Sequence, residues 1–350
     1  MKKIPPYLQK GDCVVLISPA RCVDKKDLLS FEKWVTDQGW VLEYGSYVFG
    51  KSNQFSSNDT QRAQDFVWAI EHKKAKAIFC AKGGYGSIRT LEALETLYSQ
   101  KNHSGNLLVS DNLADASTLE ISSMATSTQK NIQYDSNPIQ VNWGLAFQKI
   151  LSDANPKWLV GFSDISTLHL ALQKGNWASI HGPLASQWAS GNAGIIAGAE
   201  QLSKVLTGES VKIDLGNCTS IRNHSFEGEI VGGNLSLIYA SLGTPLQPKC
   251  RGKVLFIEDI DEYLYHVDRM LRALKLAGLF EGLQGLIIGS MIDMKDNIVP
   301  FGYTVSQMVC EILAEYDFPI LFDAPMGHGQ QNCAIKFGVN CTFDKTFLNQ

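Results

Sequence analysis

The sequence predicts an α/β protein of two domains: an N-terminal parallel-sheet α/β domain over residues 1–207 and a C-terminal β-rich, barrel-like α+β domain over residues 224–350. Three observations carry this. Short apolar runs alternate with amphipathic helical stretches through the first part, the pattern of parallel strands covered by helices. Past residue 224 the apolar runs shorten and are divided by frequent glycines. The 350 residues, 45% hydrophobic and 19% charged, suffice for two cores at roughly 100–200 residues per domain.

Cys13–Ser18 is too short for a helix and lies between Gly11 and Pro19, so it reads as a buried strand. Asp24–Gly39 has helical periodicity through Leu28, Phe31, Trp34 and Val35 and stops at a glycine. Trp40–Glu43 reads as the next strand. Thr60–Lys73 is a helix with an apolar face at Ala63, Phe66, Val67 and Ile70, capped by Asn58 or Asp59. Ala77–Ala81 is a strand that runs into Gly83-Gly84-Tyr85-Gly86. Residues 101–139 are rich in Ser, Thr, Asn, Asp and Gln without either period and read as a polar surface insertion beside the cleft or a partner copy. Alternation resumes with strand Trp158–Phe162, helix Asp164–Lys174, strand Trp177–His181 and helix Ala193–Leu206. Gly208–Asn223 is polar and reads as the domain boundary. Beyond it, strands are expected at Glu229–Val231, Val254–Ile257, Leu286–Ile288 and Ile320–Phe322. Helices are expected near 234–242, 260–277 and 303–316.

A formal charge of −4 leaves no basic footprint for nucleic acid or an anionic membrane. Lys2 and Lys3 are followed by Pro5 and Pro6, and no run approaches the roughly 20 apolar residues of a spanning helix. Eight cysteines are scattered with no CxxC spacing, which speaks for reduced thiols in a cytoplasmic setting and against zinc. No cofactor is called for, and a homodimer is the expected assembly.

Four places could carry chemistry. In Gly161-Phe162-Ser163-Asp164 a strand enters Ser163 and a helix leaves it, the setting of a nucleophile on a sharp turn, with the Asp164 amide at the helix start facing a developing oxyanion. Ile165 stands where a second glycine would complete that motif, and on spacing alone a capping role for Ser163, a common job for serine, is the favoured reading. The glycines 83, 84 and 86 suit either a plain tight turn or close backbone approach to an anion, with Ser87 as a rival nucleophile. Glu258 closes an apolar strand, while Asp259, Asp261 and Glu262 read as charges that begin the next helix. His328 lies between Gly327 and Gly329 on a turn, placed for a general base. His169 reads as structural, and His181 as lining the cleft without direct contact. Ser163, Glu258 and His328 are each at a strand end, and Ser…Glu…His is a chain order that catalytic triads use.

These blocks resemble the LD-carboxypeptidase family of serine peptidases, which includes muramoyltetrapeptide carboxypeptidase and the microcin C self-immunity hydrolases. The likeness runs through Gly11-Asp12, Ser18-Pro19, Gly83–Arg89, Gly161–His169, His181-Gly182-Pro183, Gly232–Leu235, Gly243–Pro245, Glu258-Asp259 with Tyr265, Asp268 and Arg269, and Gly327-His328 with Asn332. It implies Ser163 as nucleophile, His328 as base, Glu258 as its support, backbone amides at Asp164 and Gly84 as the oxyanion hole, and no metal. It also implies murein peptides as substrate, with loss of a terminal D-alanine in cell-wall recycling. The alternatives are a same-family hydrolase of a peptidyl-nucleotide antibiotic, which an aromatic platform for the base would favour, though the sequence does not assign Trp143, Trp177 or Trp188 to the cleft, and a non-catalytic anion-binding α/β protein. Two departures from the family pattern stand out: a longer segment at 101–139, and Lys82 where an arginine is common.

Overall fold

The computed structural model describes residues 2–103, 144–216, 218–222 and 224–350. Chain order begins β1 (Cys13–Ile17), α1 (Leu29–Asp37), β2 (Val41–Tyr44), α2 (Asp59–Glu71), β3 (Ala75–Cys80) and α3 (Ser87–His103). It continues with α4 (Leu145–Asp153), β4 (Trp158–Gly161), α5 (Ser166–Lys174), β5 (Ser179–His181) and α6 (Ala193–Thr207). Then come β6 (Lys212–Asp214), β7 (Thr219–Ile221), β8 (Phe226–Asn234), α7 (Leu235–Ala240), β9 (Val254–Ile260) and α8 (Leu264–Leu276). Last are β10 (Gly285–Ile292), α9 (Val305–Ile312), β11 (Ile320–Phe322), β12 (Ile335–Phe337), β13 (Asn340–Phe343) and β14 (Phe347–Asn349).

The expected parallel sheet forms in the order β12-β5-β4-β3-β1-β2, with β1 to β5 parallel. Two-residue periodicity sends its side chains to two separate cores. From β1, Val14 and Leu16 enter one core while Cys13, Val15 and Ile17 enter the other; Phe79 and Ile78 of β3 divide the same way. Helices α2 to α5 pack on one face of this sheet. On the other face lie α1, α6 and apolar side chains of the second sheet, including Phe226, Ile230, Phe256 and Leu321. The core between the domains is therefore continuous. Each such side chain, wholly buried, contributes about 1.5–3 kcal/mol to holding the two sheets together.

The second domain is mixed and strand-rich, in the order β6-β14-β13-β8-β9-β10-β11-β7. Its closure differs from the barrel-like expectation: the sheet is open, with β6 and β7 at its two ends. Its centre is also more regular than an α+β domain requires. Strands β8 to β11 run parallel and alternate with α7, α8 and α9, whose apolar faces build a third core. The reason lies in β8, which pairs antiparallel with β13 through Phe226–Glu229 and parallel with β9 through Ile230–Asn234, so that one strand serves two ladders.

Two segments cross the expected boundary. Residues 208–223 supply β6 and β7 to the second sheet, and β12 leaves the second domain to pair antiparallel with β5 at the end of the first sheet. Residues 101–103 finish α3; the rest of the expected insertion at 101–139 lies outside the described residues.

Candidate active site

β4 ends at Gly161, and a single turn of 3-10 helix, Ser163–Ile165, precedes α5. Ser163 sits in that turn at φ +61°, a left-handed conformation that serine rarely adopts and that marks a strained strand-to-helix corner. Ile165, which replaces the second glycine of the elbow motif, is fully buried, and the space above Gly161 is only wide enough for it: a Cβ there would lie 3.0 Å from the Ile165 side chain. Ser163 itself keeps partial exposure.

The glycine turn leans on this corner. A Cβ on Gly83 would come within 3.2 Å of the Ser163 Cβ. Gly84 holds φ +101°, a conformation that favours glycine, with the exposed Arg21 side chain lying over it. The Ser87 amide donates to Asp164 Oδ2 at 2.8 Å and ties the start of α3 to the corner. Burial pushes the Asp164 carboxyl up, against hydrogen bonds from Ser87 and Gly86 that lower it. The Ser87 side chain is wholly buried.

Glu258 and His328 meet at one edge of the second sheet, by the C-terminal ends of the parallel strands β9 and β11. Glu258 lies in β9, fully buried; His328 lies in the turn that leads from β11 to β12. Their Oε2 and Nδ1 atoms are 2.6 Å apart. Gly327 makes this possible, because its φ is +105° and a Cβ would lie 2.7 Å from Glu258 Oε2. The Asn332 side chain accepts from the Gly327 amide at 3.0 Å and fixes the turn. The His328 ring packs on Phe162, the residue before Ser163, at a centroid distance of 4.7 Å. Burial disfavours the imidazolium of His328, but the Glu258 hydrogen bond and charge outweigh it and hold the ring above its ordinary pKa. For Glu258, burial acts upward and the two neighbouring histidines, His181 and His328, more than reverse it, leaving the carboxyl below its usual range.

The chain around these groups is braced by polar side chains. Ser166 accepts from the Asn234 amide at 2.9 Å, joining α5 to the end of β8. Asp259, expected as a helix-start charge, instead lies inside β9 and is buried; it accepts from Asn234 Nδ2 and from the Ser236 and Ile260 amides at 2.8–2.9 Å. The signal for this was the apolar Ile260, which prolongs the strand past Asp259. His169 is structural as expected: Nε2–H donates to the Gly161 carbonyl at 2.9 Å and Nδ1 accepts from Ser179 at 2.8 Å, with burial pushing it down to about 3. His181 lies nearer to Glu258 than the sequence suggests, with Nε2 4.0 Å from Glu258 Oε1.

Comparison with known proteins agrees with this architecture. The LD-carboxypeptidase N-terminal domain matches residues 14–110 and 139–182, and the LD-carboxypeptidase C-terminal domain matches residues 227–343. The chain belongs to the LD-carboxypeptidase family. It is 26% identical to a probable murein peptide carboxypeptidase of Bacillus subtilis, over 97% of this chain and 91% of that protein. Its fold is that of the muramoyltetrapeptide carboxypeptidase from Oxalobacter formigenes, with a TM-score of 0.71, 22% identity, and coverage of 96% of this chain and 97% of the other. It is also that of MccF solved with glutamyl sulfamoyl guanosine, with a TM-score of 0.75, 17% identity and coverage of 99% and 97%.

Among the described residues one trio of potential metal ligands converges, Cys13, Glu43 and His72 on the β1–β2 side of the first sheet. Its hydrogen bonds already commit those atoms. His72 Nδ1 accepts from the Ala75 amide at 3.0 Å, which leaves the neutral ring's proton on Nε2, facing Glu43 at 3.2 Å. Burial pushes the Cys13 thiol up to about 12, so it faces Glu43 as a donor. The trio thus ties β1, β2 and the end of α2 together at the edge of the first sheet.

Proposed function

We propose that this LD-carboxypeptidase is a serine peptidase that removes terminal D-alanine from murein tetrapeptides. The observation that carries the reading is the 2.6 Å pair of His328 and buried Glu258, with the His328 ring held against Phe162 beside the strained Ser163 corner. Ionised Glu258 accepts a hydrogen bond from His328 Nδ1–H, which leaves Nε2 unprotonated as the base. Ser163 Oγ attacks the carbonyl between the L-configured centre of diaminopimelate and D-alanine. His328 accepts the serine proton and passes it to the departing amine. The backbone amides of Asp164 and Gly84 donate to the oxyanion, and water then releases the acyl group from Ser163.

The peptidyl-nucleotide alternative is less well supported: Trp177 and Trp188 are buried in the cores rather than offered as a platform, and Trp143 lies outside the described residues. Among the described residues no helix is long and apolar enough to cross a membrane. All eight cysteines are free thiols, which supports a cytoplasmic setting; a homodimer completes the proposal.

Incubation with murein tetrapeptide should release D-alanine at a rate unchanged by EDTA. Absence of release, or loss on chelation with recovery on adding zinc, would overturn the reading.

A further inference from the structure

Glu258 has two carboxylate oxygens, and His328 uses one. The other, Oε1, is buried and makes no protein hydrogen bond. The polar atom that faces it is His181 Nε2, at 4.0 Å. His181 is itself wholly buried, and neither of its ring nitrogens bonds to protein. Its surroundings are aromatic: Phe256 at 4.9 Å, Phe162 at 5.5 Å and Phe337 at 5.7 Å between ring centroids. Two unmet polar groups facing each other in an apolar box are costly unless they serve one another.

The backbone makes the placement deliberate. His181 ends β5, where its Cα is in register with Gly161 of β4 on one side and Ile335 of β12 on the other. The ring is therefore fixed by the strand that delivers Ser163 and by the strand that follows the His328 turn. The charged and titratable groups around it are Glu258 from β9, His328 from the turn before β12, and His169 from α5, with Asp259 acting on His328. Burial keeps His181 below its ordinary pKa, so it remains neutral where His328 titrates.

We infer that His181 is a positioning residue: as a neutral imidazole protonated on Nε2, it donates to Glu258 Oε1 after closing the 4.0 Å gap by about 1 Å to hydrogen-bond length. Glu258 is then held from both sides, by a histidine that changes charge and a histidine that does not. The second keeps the carboxylate ionised and aimed while the first takes and returns the serine proton. This inference rests on the Ser163–His328–Glu258 reading.

The test compares His181→Gln, which keeps an N–H donor, with His181→Met, which has similar bulk and none. The readout is the rate at which a fluorophosphonate probe labels Ser163 between pH 5 and 9, with Ser163→Ala as control. His181→Met should label about 10–100-fold more slowly, as for loss of one hydrogen bond to a charge. Its acid limb should move to lower pH, because a poorly held Glu258 no longer raises His328. His181→Gln should recover the rate to within a few-fold and restore the limb. Equal losses in both variants with an unmoved limb, or a His181→Met profile that matches the wild type, would overturn the inference alone. Failure of the wild type to label at Ser163 would instead remove the triad reading. Nitrogen-15 NMR of the histidines in the wild-type protein tests the same point without a substitution: the inference requires a neutral Nε2–H tautomer at His181 from pH 5 to 8, and the other tautomer or an imidazolium would end it.

Discussion

Two histidine–glutamate pairs in this protein have the same length and different settings. His328 and Glu258 are 2.6 Å apart at the junction of the two sheets, and His266 and Glu262 are 2.6 Å apart at the start of α8. The α8 pair is a one-turn neighbour contact, and both of its side chains keep contact with solvent, at 35% and 20% exposure. The junction pair joins residues 70 positions apart, and its carboxylate is fully buried. Solvent screens the first, so its worth is small. In the second, low polarity amplifies the charge of Glu258 and fixed strands keep the geometry. Distance alone says little; the burial and the brace decide what a pair can do.

The widest break concerns Ser163, the proposed nucleophile beside the junction pair. Ser163→Ala should lower tetrapeptide turnover by about 10⁴–10⁶-fold with an unchanged melting temperature, since only a hydroxyl is lost. Residual activity of more than a few per cent in the folded variant would show that the buried pair serves something else. Next, Glu258→Gln should cost about 10²–10⁴-fold in kcat, whereas Glu262→Gln should leave kcat within twofold and the melting temperature within about 2 °C. Similar losses from the two substitutions would erase the contrast. The smallest effect is on the pH profile. His328 is raised in the folded protein, so kcat/KM should fall on its acid side with a midpoint above the ordinary histidine value of about 6.5. The midpoint should drop in Glu258→Gln and stay in place in Glu262→Gln. A wild-type midpoint at or below the ordinary value would contradict the raised His328.

The same contrast explains what the sequence disclosed. The parallel alternation of β1 to β5 with helices is local, and so was legible; the N-cap of α2 is Asn58, which accepts from the Gln61 amide as the spacing suggests. Ser163 was legible because strand, turn and helix are contiguous around it. The Glu258–His328 contact was suggested only by two strand ends and a glycine turn, since its partners are brought together by β9 and Gly327. Nothing near His181 in sequence predicts an acid, because Glu258 arrives from another domain. Asp259 misleads in the sequence because a carboxylate before a helix ordinarily serves the helix, and only the continued strand buries it. The open second sheet was hidden by glycines such as Gly232, where a Cβ would lie 1.9 Å from the Phe256 carbonyl. A run of glycines written to bring two strands close reads, from sequence, like a run of turns.

Strand β12 also sets a timetable. A ribosome making this chain at roughly 5–20 residues per second completes β5 and α6 on the order of ten seconds before β12 emerges. Until then β5, with His181 at its end, has β4 on one side and an open edge on the other. Such an edge invites pairing with whatever strand is near, including that of another nascent chain. The first domain of this protein is thus finished late, by a piece of chain that must first fold its way through the second. Chains released after α6 should associate through β5, and only a chain that extends through β12 can close that edge with the strand that follows the His328 turn.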